Sequence, residues 1–128
     1  MRVAFLGTGF AASLHSRTMK TVAPDVERWY ASRDQARAEA ARARFGGAGA
    51  FGSYDAALAS PEITAVLVAL PPALHLEWTL RALEAGKHVI LEKPPLLRST
   101  DFAAVTEAAR RADRQVLVAE NYFYKPLA

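Results

Sequence analysis

At 128 residues, with 52% hydrophobic and 23% charged side chains, the chain has room for one domain and enough apolar material to fill its core, which excludes a two-domain enzyme within this length and argues against disorder. Sixteen Lys and Arg against thirteen Asp and Glu leave a formal +3 spread over scattered arginines, too dispersed for a nucleic-acid surface. No cysteine is present, so disulfides, zinc knuckles and thiol chemistry are excluded, and the longest apolar run, 65–72, is far shorter than the roughly 18 residues of a membrane span.

A strand is expected at 2–6, directly after Met1. With no basic leader, no apolar stretch of signal-peptide length and no cleavage pattern, a cytoplasmic protein is expected. The strand runs into Gly7-Thr8-Gly9-Phe10-Ala11-Ala12, which opens a helix over 10–22. In this G-x-G-x-x-A pattern Gly7 permits a tight turn, Gly9 lets a diphosphate approach the backbone, and Ala12 lets the helix lie against the strand. The helix start offers unpaired amides and its positive dipole end to the same anion, so Thr8, Phe10 and Ala11 belong to the cradle. No G-x-x-x-x-G-K-[ST] run occurs, which removes a P-loop nucleotidase. His15, further along this helix, reads as structural and pointing away from the nicotinamide end.

The second strand, 26–31, ends in Tyr30-Ala31-Ser32-Arg33-Asp34. A site for NAD normally holds an acidic residue here against the ribose 2′-hydroxyl; Ser32 and Arg33 instead suit the 2′-phosphate of NADP, which favours NADP over NAD. A register shift of a few residues would put Asp34 on the ribose, and Asp34 is also placed to cap the helix over 35–45. A short strand near Ala50 and Phe51 and a small helix from Tyr54, capped by Ser53, complete the first half. Trp29 and Trp78 read as core-filling residues.

The second half continues with a strand at 64–70 and a helix at 73–85, where Leu76, Leu80 and Leu83 form one apolar stripe. Gly86 follows in the left-handed position, then a strand at 88–91, a helix at 100–112 capped by Ser99, and a strand at 116–119. The strand runs are continuous rather than alternating, as in a parallel sheet covered on both faces. The expected fold class is therefore α/β: a single-domain, doubly wound parallel sheet of Rossmann type, strand order 3-2-1-4-5-6, with ligands over the carboxyl ends of the strands.

Together, Gly7-Thr8-Gly9, Pro71-Pro72-Ala73-Leu74-His75, Ala85-Gly86-Lys87-His88-Val89 and Glu92-Lys93-Pro94 resemble the Gfo/Idh/MocA oxidoreductase family over essentially the whole chain. The resemblance implies a Rossmann domain over 1–120 that holds NAD or NADP, with Lys93 as the catalytic residue reaching the substrate hydroxyl or carbonyl. It also implies cofactor contacts from Leu70, Pro71, His75, Glu92 and Asn121. Chemically, a cation at the carboxyl end of the fifth strand stabilises a developing alkoxide; the plain alternative is a surface lysine paired with Glu92. His75 either touches the cofactor or satisfies local backbone. Leu70 stands where many relatives carry a small hydroxyl residue. Pro94 and Pro95 end the strand, and a cis Lys93-Pro94 bond is compatible with the reduced trans preference of X-Pro.

Asn121 and Tyr122 are candidates for the floor of the cleft, and 121–128 would begin the connection to a C-terminal substrate domain that this length does not include. The implied activity is hydride transfer between a nicotinamide and a sugar, polyol or similar small alcohol or carbonyl, with little turnover by this chain alone. Three alternatives stay open: a non-catalytic nucleotide-binding regulator of a partner, a different Rossmann reductase, and a single-domain protein that completes its cleft by association through Tyr122, Phe123 and Tyr124. Neither nucleic acid, membrane nor metal is expected as a partner, and the oligomeric state is left open.

Overall fold

The computed structural model describes residues 1–121. Strands β1 (Arg2–Leu6), β2 (Glu27–Ala31), β3 (Gly49–Phe51), β4 (Ala65–Val68), β5 (His88–Leu91) and β6 (Val116–Val118) form one parallel sheet in the order β3-β2-β1-β4-β5-β6. They are joined through α1 (Phe10–Val22), α2 (Gln35–Phe45), α3 (Tyr54–Ala59), α4 (His75–Glu84) and α5 (Ser99–Ala112). This is the doubly wound order expected from the sequence.

Alternate strand residues feed two cores. Val3, Phe5, Tyr30, Ala65 and Leu67 meet Ala12 of α1 and Ala41 and Phe45 of α2. Ala4, Leu6, Val66, Val68, Val89 and Leu91 meet Ala57 and Leu58 of α3, Trp78, Ala82 and Leu83 of α4, and Val105 of α5. Because both faces are covered, every inward position must be apolar, and the strands read as unbroken hydrophobic runs. Each fully buried Val, Leu or Phe contributes roughly 1.5–3 kcal/mol of transfer free energy. Trp78 stands edge-on to Tyr54, and Trp29 stacks on Phe51, so both indoles are core-filling.

The structure shifts several expected boundaries. The fourth strand ends at Val68, two residues before Leu70, where the chain turns into Pro71 and Pro72. A 3-10 turn at Pro72–Leu74 precedes α4, so that helix starts at His75 rather than Ala73, since neither proline has an N–H to give. Asp34 and Ser53 cap α2 and α3, accepting from the amides of Ala36 and Ala56 at 2.9 and 3.0 Å. Ser99 does not cap α5: it is the first helical residue, and Arg98 before it makes no side-chain cap. The first turn instead carries the buried Asp101, paired with Arg98 at 3.2 Å, which opposes the positive helix end.

One chain of hydrogen bonds seats α1 on the sheet. The buried Tyr30 hydroxyl donates to Ser16 Oγ at 2.9 Å, and Ser16 Oγ donates to the Ala12 carbonyl at 2.7 Å. Arg28 adds a bond to the Ser16 carbonyl at 3.0 Å. At the amino pole of the sheet, Gly86 adopts φ +75° and Lys87, buried, donates from Nζ to the carbonyls of Ser60 and Ile63, both at 2.8 Å. Burial pushes the Lys87 ammonium below the ordinary lysine range, with the nearby Arg114 charge adding to it. Among the described residues no helix is long and apolar enough to cross a membrane.

Burial also pushes the Tyr30 phenol above its ordinary value of 10.0. A folded-state value above the unfolded one means that this contribution to stability is complete below pH 10 and is lost as pH rises through the folded value. Tyr30→Phe is therefore expected to cost about 1 kcal/mol at neutral pH. The gap between mutant and wild type should narrow above pH 10, as read from urea unfolding midpoints at both conditions.

Candidate functional site

The carboxyl ends of adjacent strands form a rim. Gly7 leaves β1 with its N–H on the Ala31 carbonyl at 3.0 Å, and Ser32 leaves β2 with its N–H on the Phe51 carbonyl at 3.1 Å. Ala69 leaves β4 bonded to the Leu6 carbonyl at 3.0 Å, and Glu92 leaves β5 bonded to the Val68 carbonyl at 3.1 Å. Ser32, Gly7, Ala69 and Glu92 thus lie in order along an edge spanning three strand intervals, about 14 Å.

Gly7 has φ +103°, and an added Cβ would lie 2.6 Å from the Ala69 carbonyl oxygen, so no other residue fits there without displacing the end of β4. At Gly9 an added Cβ would meet nothing within 4 Å, which leaves the approach to the backbone clear. Gly9 is the N-cap of α1 and offers no side-chain cap, and the first turn holds no acidic residue. The first internal helical bond is Ser13 N–H to the Gly9 carbonyl at 3.1 Å, so the amides of Phe10, Ala11 and Ala12 have no acceptor within the helix. α2 and α3 are capped by Asp34 and Ser53, whereas α1 has no side-chain cap.

A cleft of about 500 Å³ opens over this turn, lined by Gly7, Thr8, Gly9, Ser32, Arg33, Asp34, Arg37, Tyr54, Ala69, Leu70 and Pro71. The expected contacts Gly7, Thr8, Gly9, Ser32, Arg33, Leu70 and Pro71 are therefore gathered in one place, with Phe10 and Ala11 beside them as the first residues of α1. Ser32 is buried, its hydroxyl accepting the Asp34 N–H at 3.2 Å, while one Asp34 oxygen is engaged in the helix cap. Arg33 and Arg37 are exposed and, among the described residues, form no ion pair. Arg37, in the first turn of α2 and also lining the adjoining recess with Thr8, Ser13 and Arg44, was not singled out from the sequence.

Glu92 and Lys93 lie one strand further, at the end of β5 and outside that cleft, followed by a cis Lys93-Pro94 bond. Both histidines find partners far along the chain. His75 is fully buried; its Nδ1 lies 3.0 Å from the carbonyl oxygens of both Pro94 and Pro95, and its Nε2 2.7 Å from that of Leu70. Of the two readings left open for it, the contacts match the one in which it satisfies backbone groups, as a brace between the end of β4 and the segment after β5. His15 does not point away from that region: its Nε2 donates to Glu92 Oε1 at 2.6 Å. Asn121 is exposed beyond β6 and is not among the residues lining the cleft. Tyr122, Phe123 and Tyr124 lie outside the described residues. Among the described residues no cluster of three His, Asp or Glu could hold a metal ion.

Residues 1–120 match the family model of an oxidoreductase family with an NAD-binding Rossmann fold. A dTDP-3,4-didehydro-2,6-dideoxy-alpha-D-glucose 3-reductase of Streptomyces violaceoruber is 43% identical over 115 residues, covering 90% of this chain and 30% of the reductase. A D-xylose 1-dehydrogenase (NADP(+)) of Haloferax volcanii is 39% identical over 97 residues, 76% of this chain and 30% of the relative. A solved 3-ketoreductase from Actinomadura kijaniata, in complex with NADP and TDP-benzene, superposes with a TM-score of 0.90 at 32% identity, covering 98% of this chain and 39% of that one. The chain thus spans less than a third of the length of either curated relative.

The two glycines should separate experimentally. Gly7→Ala is expected to cost about 2 kcal/mol or more in stability, through the left-handed backbone and the contact with Ala69, and to abolish dinucleotide binding. Gly9→Ala should stay within about 1 kcal/mol of wild type yet weaken binding, because its methyl group projects into ligand space. Unfolding midpoints and fluorescence titration read the two effects.

Proposed function

Because the chain belongs to the Gfo/Idh/MocA oxidoreductase family, with residues 1–120 as its NAD(P)-binding Rossmann domain, we propose that it binds NADP in preference to NAD and forms the cofactor half of an enzyme acting on a sugar or polyol. Residues 1–120 would be that domain, and 121–128 the start of the connection to a substrate domain. The observation carrying the cofactor preference is the Ser32, Arg33 and Arg37 group at the end of β2: a hydroxyl and two guanidiniums without ion-pair partners among the described residues, while one Asp34 oxygen is held in the α2 cap. Guanidinium groups bind a phosphate bidentately and give nothing comparable to a ribose hydroxyl. The named NADP relative and the NADP-bound 3-ketoreductase support the same preference.

In this reading the amides of Phe10, Ala11 and Ala12 hold the diphosphate over Gly9, and Ser32, Arg33 and Arg37 hold the adenosine end. The nicotinamide, when bound, accepts or gives the hydride at its C4 carbon. Leu70 and Pro71 wall the crevice at the end of β4, and Glu92 holds the backbone of Lys93. Lys93 places its ammonium against the substrate oxygen, polarising a carbonyl on reduction or stabilising the alkoxide formed on oxidation. The substrate class rests on the sugar reductase and xylose dehydrogenase among the relatives.

Titration of this chain with NADPH and NADH tests the proposal. NADPH is expected to bind about tenfold tighter or more, and Arg33→Ala and Arg37→Ala should each narrow that margin while leaving NADH affinity nearly unchanged. Equal affinity of the wild type for both cofactors would remove the argument from Ser32, Arg33 and Arg37.

A further inference from the structure

Lys93 sits where the chain has left the sheet. Among the described residues the last ladder bond on this strand is that of the Glu92 N–H, and Pro94 and Pro95 have no N–H with which to hold themselves. The segment is fixed by other means. Glu92 turns its carboxylate back, and Oε2 accepts the Lys93 N–H at 2.7 Å. The other oxygen, Oε1, accepts from His15 Nε2 at 2.6 Å, a charge-assisted contact in which the two side chains are only 25% and 16% exposed. His15 belongs to the second turn of α1, the helix whose first amides form the diphosphate cradle.

We propose that His15 is a positioning residue for Lys93: through the Glu92 carboxylate it locks the backbone that carries the lysine to the helix that holds the diphosphate. The inference rests on the reading of Lys93 given above. Without His15, the Glu92 carboxylate keeps only the N–H of its own neighbour, and the Lys93 amide loses a fixed acceptor. His75 holds the far side of the same segment by the Pro94 and Pro95 carbonyls, so the backbone of Lys93 is clamped from α1 on one side and α4 on the other. The cradle and the lysine are then set at one distance by a side-chain bridge rather than by sheet geometry alone.

The test uses this chain. In His15→Ala, hydrogen exchange of the Lys93 amide, followed by NMR, is expected to accelerate about tenfold, the factor that one hydrogen bond to a charged group carries, while amides of β1 and β4 keep their protection. His15→Gln, which still donates to Glu92, should restore most of the protection. NADPH affinity should fall about tenfold in His15→Ala, whereas adenosine 2′,5′-bisphosphate, confined to the Gly7–Gly9 turn and the Ser32 and Arg33 end, should bind within about twofold of wild type. Unchanged Lys93 exchange overturns the inference, and so does an equal loss for both ligands, which would mark His15 as a general support of α1. A wild type that binds neither ligand overturns the proposed function instead, and the exchange result then decides the bridge on its own. If His15→Ala does not fold, His15→Leu, which fills the space without donating, carries the same expectations.

Discussion

The turn at Gly7 is the constraint from which the rest of the molecule follows. Its N–H is spent on the Ala31 carbonyl of β2, and its Cα faces the Ala69 carbonyl beyond β4, so the ends of three strands meet at one residue that has no side chain. Such a junction exists only where β1 is flanked by β2 on one side and β4 on the other, at the point where the strand order reverses. The left-handed backbone there sends the chain directly into α1, and the helix arrives with its first amides over the crevice. The crevice is thus a consequence of topology, and its chemistry a consequence of the amides being left uncapped.

Holding those amides in place falls to the packing and hydrogen bonds beneath α1. Ala12 is small enough to let α1 close on the sheet, and the Tyr30–Ser16–Ala12 chain of hydrogen bonds fixes the helix against rotation. A buried hydroxyl that reaches a partner stabilises only modestly, about 1 kcal/mol, but one left without a partner is costly, so the pairing selects a single seat for the helix. The opposite pole of the sheet carries the complementary work. Gly86 ends the turn after α4, Lys87 clamps the 60–63 loop, and His88 Nδ1 accepts the Gln115 N–H at 3.1 Å. The Gly86-Lys87-His88 part of the motif is therefore a device of stability, while Glu92-Lys93-Pro94, beginning four residues after His88, belongs to the rim.

What was legible in the sequence is what local chemistry decides. The continuous apolar runs, the glycine pattern, the caps at Asp34 and Ser53 and the left-handed Gly86 depend on neighbours within a few residues, and all stand in the structure. What stayed illegible or undecided concerns side chains whose partners come from far along the chain. The direction expected for His15 is wrong because it meets Glu92 across 77 positions, and the two readings of His75 could not be separated because it meets Pro94 and Pro95 across 19 and 20. Periodicity gives the direction of a side chain about its helix axis, not what another strand's end brings there. Ser99 fails for a nearer reason: it is itself the first helical residue, and the cap position falls to Arg98, one residue earlier.

Net charge conceals the feature that matters most for binding. The formal +3 is small, and most arginines are spent elsewhere: Arg2, Arg42, Arg81, Arg98 and Arg110 pair with carboxylates, and Arg28 and Arg114 bind backbone carbonyls. Exposed pairs of this kind add little stability, but they cancel the field of each arginine locally. Arg33 and Arg37 have no such partner among the described residues, and they stand beside the uncapped positive end of α1. Their charges and the helix amides therefore add at one rim. A surface of nearly balanced composition thus acquires one strongly polarised place, and that place coincides with the reversal of strand order.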